Sequence, residues 1–312
     1  MQKENVIEVR HLTKDYKCGR GIFDFTFQVK KGSVYGLIGT NGSGKTTTIR
    51  HMMGFIRGDS GSVTIAGMDA WKDAAKIKKL VGYVPGQIDF PDVGTGTSFL
   101  KIQADLLKLL DLSYKNSLLD RFKIHITAPL NRMSKGMKQK MAIVAAFMAQ
   151  PDIYLLDEPS TGLDPLMRDT LIELLLEQRA QGKTVFMSSH VFKELEDTCD
   201  EVMLIHDGHI VNNVKRSQYE ANPHETYSFT VSSEEEYLRC REAIHLFVSQ
   251  YQDGHMECWR RHRHHQFTLV LPVTLLNEFF SLLSQFSVTT LGSERYSLEK
   301  YYTTIIEHRE VE

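Results

Sequence analysis

Long apolar runs are missing from this 312-residue chain: the longest, Met141–Ala149, is nine residues. A helix that crosses a bilayer needs roughly 18–20, so the sequence predicts no membrane span of its own. The opening Met1-Gln2-Lys3-Glu4-Asn5 lacks the apolar core of a signal peptide. Cysteine is scarce. Cys18, Cys199, Cys240 and Cys258 lie far apart with no C-x-x-C spacing, which fits reduced thiols in a cytoplasmic protein and excludes a disulfide scaffold. Charge of one sign is also lacking: 37 basic residues face 39 acidic ones, for a net charge of −2, so no bulk basic field argues for nucleic acid. Internal repeats and low-complexity tracts are absent. What remains is a globular composition, 42 % hydrophobic and 24 % charged, with length for about two domains of ~150 residues.

What is present is most concentrated at Gly39-Thr40-Asn41-Gly42-Ser43-Gly44-Lys45-Thr46. A short apolar run, Ser33–Ile38, precedes it and reads as a buried strand. Thr47–Met53 follows and reads as the first turns of a helix. Strand, G-x-x-x-x-G-K-[ST], helix is the context that a phosphate-binding loop needs. Glycines let successive backbone N–H groups turn toward phosphate oxygens with no Cβ in the way. The helix start adds its positive dipole end. Lys45 supplies a point charge to the β- and γ-phosphates, and the Thr46 hydroxyl is placed to ligate Mg²⁺.

Around this loop, short apolar runs alternate with helical stretches. Strands are expected at Leu80–Val84, Ile153–Leu156, Thr184–Met187 and Glu201–Ile205, with helices between them, which predicts a parallel α/β sheet with crossover helices. Val6–Val9 and Phe23–Val29 read as strands ahead of the loop, the second alternating as a half-buried antiparallel strand does. Between them lies Tyr16, which is either a stacking platform for a nucleotide base or an ordinary surface or core tyrosine. Ile153-Tyr154-Leu155-Leu156 ends in Asp157-Glu158, and a buried strand should not end in adjacent acids without a use for them. Asp157 fits a Mg²⁺ carboxylate, directly or through water, and Glu158 fits the general base that polarises the attacking water. The plain alternative is a pair of acids at a solvent-facing strand end.

Further motifs follow in a fixed order. Met133-Ser134-Lys135-Gly136-Met137-Lys138-Gln139 heads a helix upstream of the acids; Ser160-Thr161-Gly162-Leu163-Asp164 follows them; Ser188-Ser189-His190 closes the next strand. In this order the chain resembles the ATP-binding cassette (ABC) proteins, with the signature, D-loop and switch histidine in turn. The motifs span residues 33–190, and the resemblance extends over about 1–220. It implies a P-loop NTPase cassette with an antiparallel β subdomain and a helical subdomain at about 90–150. It also implies ATP and Mg²⁺ as ligands, and two cassettes packed head to tail around two ATP molecules. Gly39 to Thr47 of one copy would hold the nucleotide. Ser134 and the N–H groups near Gly136 would meet its γ-phosphate from the other copy. His190 would hold the attacking water with Glu158, and Asp164 would cross the interface.

Two departures stand out. The signature carries Lys135 and Met137 where the family has Gly and Gln, and Lys135 either adds charge near a phosphate or is simply solvated. After the strand ending at Val84-Pro85, where the family expects a Gln that ligates Mg²⁺, this chain has Gly86; either Gln87 takes the role one residue on, as the resemblance favours, or a water does. Phe90-Pro91-Asp92-Val93 and the helices to about 130 match the helical subdomain that docks on a separate membrane permease.

The texture changes at Asn222-Pro223, which divides the chain into a nucleotide-binding domain (1–220) and an accessory α+β domain (221–312). The latter reads β(226–231), α(234–249), β(256–260), β(266–271), α(272–285), β(287–291) and a last helix from Leu298 to Glu307. This is the split βαβ order of ferredoxin-like domains plus a helix. Arg261-His262-Arg263-His264-His265 invites a metal reading, but neighbouring arginines repel a cation and strand alternation sends His264 and His265 to opposite faces. A solvated hairpin tip is expected, with metal, anion or partner binding as the alternatives.

The family resemblance makes the chain the ATPase subunit of a membrane exporter, cytoplasmic and peripheral on the inner face of the cell membrane. Its partners would be a separate permease and a second, identical or homologous cassette. The rival class is a soluble ATP-switched cassette acting on ribosomes or chromosomes. Ribosome-acting forms usually carry two cassettes on one chain, whereas one phosphate loop is present here. Chromosome-acting forms split the cassette with a long coiled coil, and no sustained heptads appear.

Overall fold

The computed structural model describes residues 4–220, 224–250, 257–261, 265–295, 297–299 and 302. It divides into two compact units, Met1–Arg216 and Ser217–Glu312. In the first, β1 (Asn5–Asp15) and β2 (Gly21–Lys30) pair antiparallel, and β3 (Val34–Gly39) runs into α1 (Lys45–Met52). Then come β4 (Ser60–Ile65), β5 (Met68–Asp69), α2 (Ala74–Leu80) and β6 (Val81–Val84). The helical stretch holds α3 (Gly96–Leu106), α4 (Ser113–Arg121) and α5 (Lys135–Phe147). The rest alternates: β7 (Ile153–Asp157), α6 (Pro165–Ala180), β8 (Thr184–Ser189), α7 (Phe192–Thr198), β9 (Glu201–His206), β10 (His209–Lys215).

Two sheets result, one antiparallel in the order β2-β1-β4-β5 and one mixed in the order β10-β9-β3-β8-β7-β6. β3, β7 and β8 are buried along their whole length, as strands covered on both faces must be. The sheets are joined by a core in which Phe27, Tyr35 and Phe186 stack with ring centroids 5.7–6.1 Å apart. Each such pair contributes roughly 0.5–1.5 kcal/mol beyond its buried area. The parallel register sets Ile38 beside Ser189 and Asp157 beside Ser188. The carboxyl ends of β3, β7 and β8 therefore open at one edge, where open α/β sheets bind ligands. Among the described residues no helix is long and apolar enough to cross a membrane.

In the second unit a short α8 (Arg216–Glu220) leads to β11 (His224–Val231), α9 (Glu234–Gln250), β12 (Glu257–Arg261), β13 (Gln266–Pro272), α10 (Leu276–Leu283) and β14 (Val288–Arg295). The sheet order is β12-β13-β11-β14, all antiparallel, the arrangement a split βαβ chain adopts. α9 and α10 pack Tyr237, Cys240, Ile244 and Phe279 against Phe229, Phe267 and Leu269 of the sheet. The helix expected from Pro272 begins instead at Leu276, because Pro272 still belongs to β13 and residues 273–275 form a 3-10 turn. Of the basic cluster, Arg261 ends β12 and His265 precedes β13; His262, Arg263 and His264 lie outside the described residues, as does most of the helix expected from Leu298 to Glu307.

Candidate active site

The loop between β3 and α1 is shaped by its glycines. Gly44, the residue before α1, has φ +109, and a Cβ there would stand 2.4 Å from Ile22 Cγ2. At Gly39 a Cβ would meet the Ile205 carbonyl at 2.4 Å, so the strand can enter the loop only as glycine. The Lys45 side chain, 6 % exposed, donates to the carbonyls of Gly39 (2.8 Å) and Thr40 (3.2 Å) and lies 3.4 Å from Glu158 Oε1. Ser43 is buried in the same loop.

β7 delivers the two acids differently. Asp157 is fully buried and accepts from the Ser188 hydroxyl at 2.6 Å. Burial is the largest influence on its carboxyl and raises its pKa; the Ser188 bond and the nearby Thr46 hydroxyl act the other way. Its Oδ2 has no well-formed hydrogen bond among the described residues. Glu158 turns off the strand with φ +51, its N–H held by the Ser188 carbonyl (3.2 Å) and hydroxyl (3.0 Å). That turn carries its carboxylate to the imidazole of His190, whose Nδ1 meets Glu158 Oε2.

Lys45, Glu158 and His190 border one cavity of about 750 Å³, lined also by Tyr16, Asn41, Gly42, Gly44, Thr46 and Thr47; the fully buried Asp157 is not part of its lining. Tyr16 is half exposed at its edge, with Lys14 Nζ 5.8 Å from the ring centre. Ser134, Gly136 and Asp164 are not brought there. Ser134 caps α5, accepting from the Met137 N–H at 3.3 Å, and Gly136 abuts the Gly162 carbonyl, which a Cβ would approach to 2.6 Å. Asp164 caps α6 through the Met167 N–H at 3.0 Å. Within one chain the Ser134 helix tip therefore packs on the Gly162 loop and not on the phosphate loop.

Gln87 is corrected. It is exposed and outside the cavity lining, and Gly86 takes the place against the acid. A Cβ at position 86 would stand 2.6 Å from Asp157 Oδ2. The parallel register pairs Val84 with Leu156, so the chain leaving β6 runs onto the carboxylate at residue 86 and has passed it by residue 87. Ser188 was also missed. Its signal was present, since a polar Ser-Ser pair ending an apolar strand at the same sheet edge as Asp157 needs a partner.

A Gly-rich loop, a buried lysine, a strand-end acid pair and an apposed histidine at the carboxyl edge of a parallel sheet define a phosphate-loop nucleotidase. The family model described as ABC transporter matches residues 22–161. The bacitracin transport ATP-binding protein BcrA of Enterococcus faecalis is 30 % identical over 313 residues, 98 % of each chain. A solved ATP-binding subunit of an ABC transporter superposes with a TM-score of 0.63 at 31 % identity, covering 69 % of this chain and 92 % of that one. A dimeric ATP-binding cassette in a post-hydrolysis state with ADP and phosphate shares the fold at a TM-score of 0.61 and 20 % identity, covering 67 % of this chain and 98 % of that one. The chain belongs to the ABC transporter family, and it is an ATP-binding subunit that hydrolyses ATP.

Proposed function

We propose that this subunit pairs with a second cassette around two ATP molecules and drives export through a separately encoded permease, working at the inner face of the cell membrane. The observation that carries the pairing is the distance in the fold between two half-sites. The cavity holds Lys45, Glu158 and His190, while the Ser134–Gly136 helix tip, itself a ready anion site, packs elsewhere. A second copy would supply that tip to the exposed side of a bound triphosphate, with Asp164 near the seam. Closure would then require ATP, and hydrolysis would release it, because the γ-phosphate is the shared ligand. Export is the direction suggested by likeness to a bacitracin transport protein over the whole chain. Residues 221–312 are proposed as an accessory domain that tunes dimerisation or ATPase rate.

The residues present fit Mg²⁺. Asp157 Oδ2 is buried with no well-formed hydrogen bond among the described residues, and glycine at 86 leaves its approach open. Asp157 and the Thr46 hydroxyl would hold the ion, which would neutralise charge on the β- and γ-phosphate oxygens. Lys45 would leave the Gly39 and Thr40 carbonyls for those oxygens. Glu158 would accept the proton of the attacking water, and His190, oriented by Glu158, would fix that water and the γ-phosphate. Tyr16, at the cavity edge, would stack on the base.

Light scattering of the hydrolysis-impaired Glu158→Gln with and without ATP tests the pairing: a monomer that becomes a dimer only with nucleotide is expected, and a monomer under both conditions, with ATP bound, would refute it. Tyr16→Ala is expected to weaken ATP binding by about 5- to 100-fold, the worth of one base–aromatic stack, while leaving the affinity for inorganic triphosphate unchanged. Calorimetry with both ligands checks this, and equal losses for the two would remove Tyr16 from base recognition.

A further inference from the structure

Glu194, on α7, is 1 % exposed, and its neighbour Leu195 shows that an apolar side chain fits this interior. A carboxyl buried there is costly unless it is hydrogen-bonded. Its Oε2 accepts two hydroxyls, from Ser189 at 2.7 Å and from Ser160 at 2.8 Å. Both serines are buried, and Oε1 has no hydrogen-bond partner among the described residues. Burial raises the pKa of this carboxyl, against the two hydroxyls and the nearby Arg168.

The two serines are not interchangeable packing groups. Ser189 precedes His190, and its Oγ also accepts the Val191 N–H at 3.0 Å, so the bond brackets the turn that carries the histidine. Ser160 follows Glu158 by two residues and opens the loop to Asp164. One buried oxygen therefore joins the strand end bearing Glu158 to the turn bearing His190, whose side chains meet above it.

We propose that Glu194 is a positioning residue for hydrolysis, tying the Ser160 loop to the His190 turn so that the water-activating pair and the loop headed for Asp164 keep one geometry. The inference rests on the roles given above to Glu158 and His190. A displacement on the order of 1 Å in such a pair can cost about 100-fold in rate. Gln at 194 keeps an oxygen for both hydroxyls, and Ala keeps none.

Steady-state ATPase and ATP binding are measured for Glu194→Ala, Glu194→Gln, His190→Ala and the double variant Glu194→Ala/His190→Ala. Glu194→Ala is expected to lose about 10- to 100-fold in kcat with the Kd for ATP within about threefold, a split that general loss of packing would not give. Glu194→Gln should stay within about threefold of the parent, and the double variant should be no slower than His190→Ala. A parental rate for Glu194→Ala, a Glu194→Gln as slow as Glu194→Ala, or losses that multiply in the double variant would overturn the proposal. If Glu194→Ala does not fold, Ser189→Ala and Ser160→Ala remove one tie each. Lower kcat at unchanged ATP affinity in both is then expected, and parental rates in both overturn the proposal. A parental His190→Ala would defeat the site reading beneath the inference; an impaired His190→Ala beside a parental Glu194→Ala defeats the inference alone.

Discussion

Glu158→Gln is expected to bind ATP as the parent does, to hydrolyse it about 10²- to 10⁴-fold more slowly, and to accumulate as an ATP-bound dimer. The substitution keeps the shape of a side chain fixed by the φ +51 turn and by the two contacts of its N–H with Ser188. It removes the basic oxygen. Lys45 still lies beside the neutral amide, so the cation needed for the phosphates is not lost with the base. Binding and hydrolysis should thus separate: phosphate release stops while light scattering reports a persistent dimer. Hydrolysis at the parental rate would show that some other group takes the proton.

Lys45→Ala is expected to act one step earlier. The ammonium is buried, and its bonds to the Gly39 and Thr40 carbonyls hold it at the floor of the loop. A charge-assisted contact with a phosphate is worth about 1.5–3 kcal/mol, so the affinity for ATP should fall about 10- to 100-fold by calorimetry, and hydrolysis should fall at least as far. The variant removes the lysine's bond from the Gly39 carbonyl, while the Thr40 carbonyl still accepts the Ser43 N–H, so its melting temperature is measured alongside to separate lost folding from lost binding. Parental affinity in a folded Lys45→Ala would take the phosphate role away from this residue.

Much of the site was legible because its chemistry is local. Eight consecutive residues make the phosphate loop, and six more make the strand and its acids, so their spacing alone carries the geometry. Sheet register is not local. By sequence alone, Gly86 or Gln87 could equally stand against Asp157. Only the Val84–Leu156 pairing reveals that Gly86 meets Asp157 and that a side chain there would collide with it. The link from Glu194 to Ser160 and Ser189 joins residues up to 34 positions apart, and nothing in the sequence of α7 sets its glutamate apart from neighbouring surface acids.

The same distinction explains the fold. The alternation of β2 was visible, and its burial follows it. The pattern predicts strand only over Val6–Val9, whereas β1 pairs from Asn5 to Asp15. Register shifts fall between Val9 and Leu12 and again between Leu12 and Lys14, and His11 has φ +49; each changes the face a residue takes and breaks the period-two pattern. The C-terminal order is readable because Tyr227, Phe229 and Val231 alternate with polar residues, and Phe267, Leu269 and Leu271 share one face with only Val270 breaking the pattern.

The central claim is that each hydrolytic site is built from two copies of this chain, and complementation tests it most directly. Lys45→Ala breaks the cradle of its own chain, and Ser134→Arg places a bulky cation at the helix tip it would offer to the other. Each variant alone should be nearly inactive. Mixed in equal amounts, they should regain roughly a quarter of the parental ATPase, since random pairing makes about half the dimers mixed and each of those has one site with both an intact cradle and an intact tip. No recovery on mixing, with both variants folded and Ser134→Arg still binding ATP, would contradict the account.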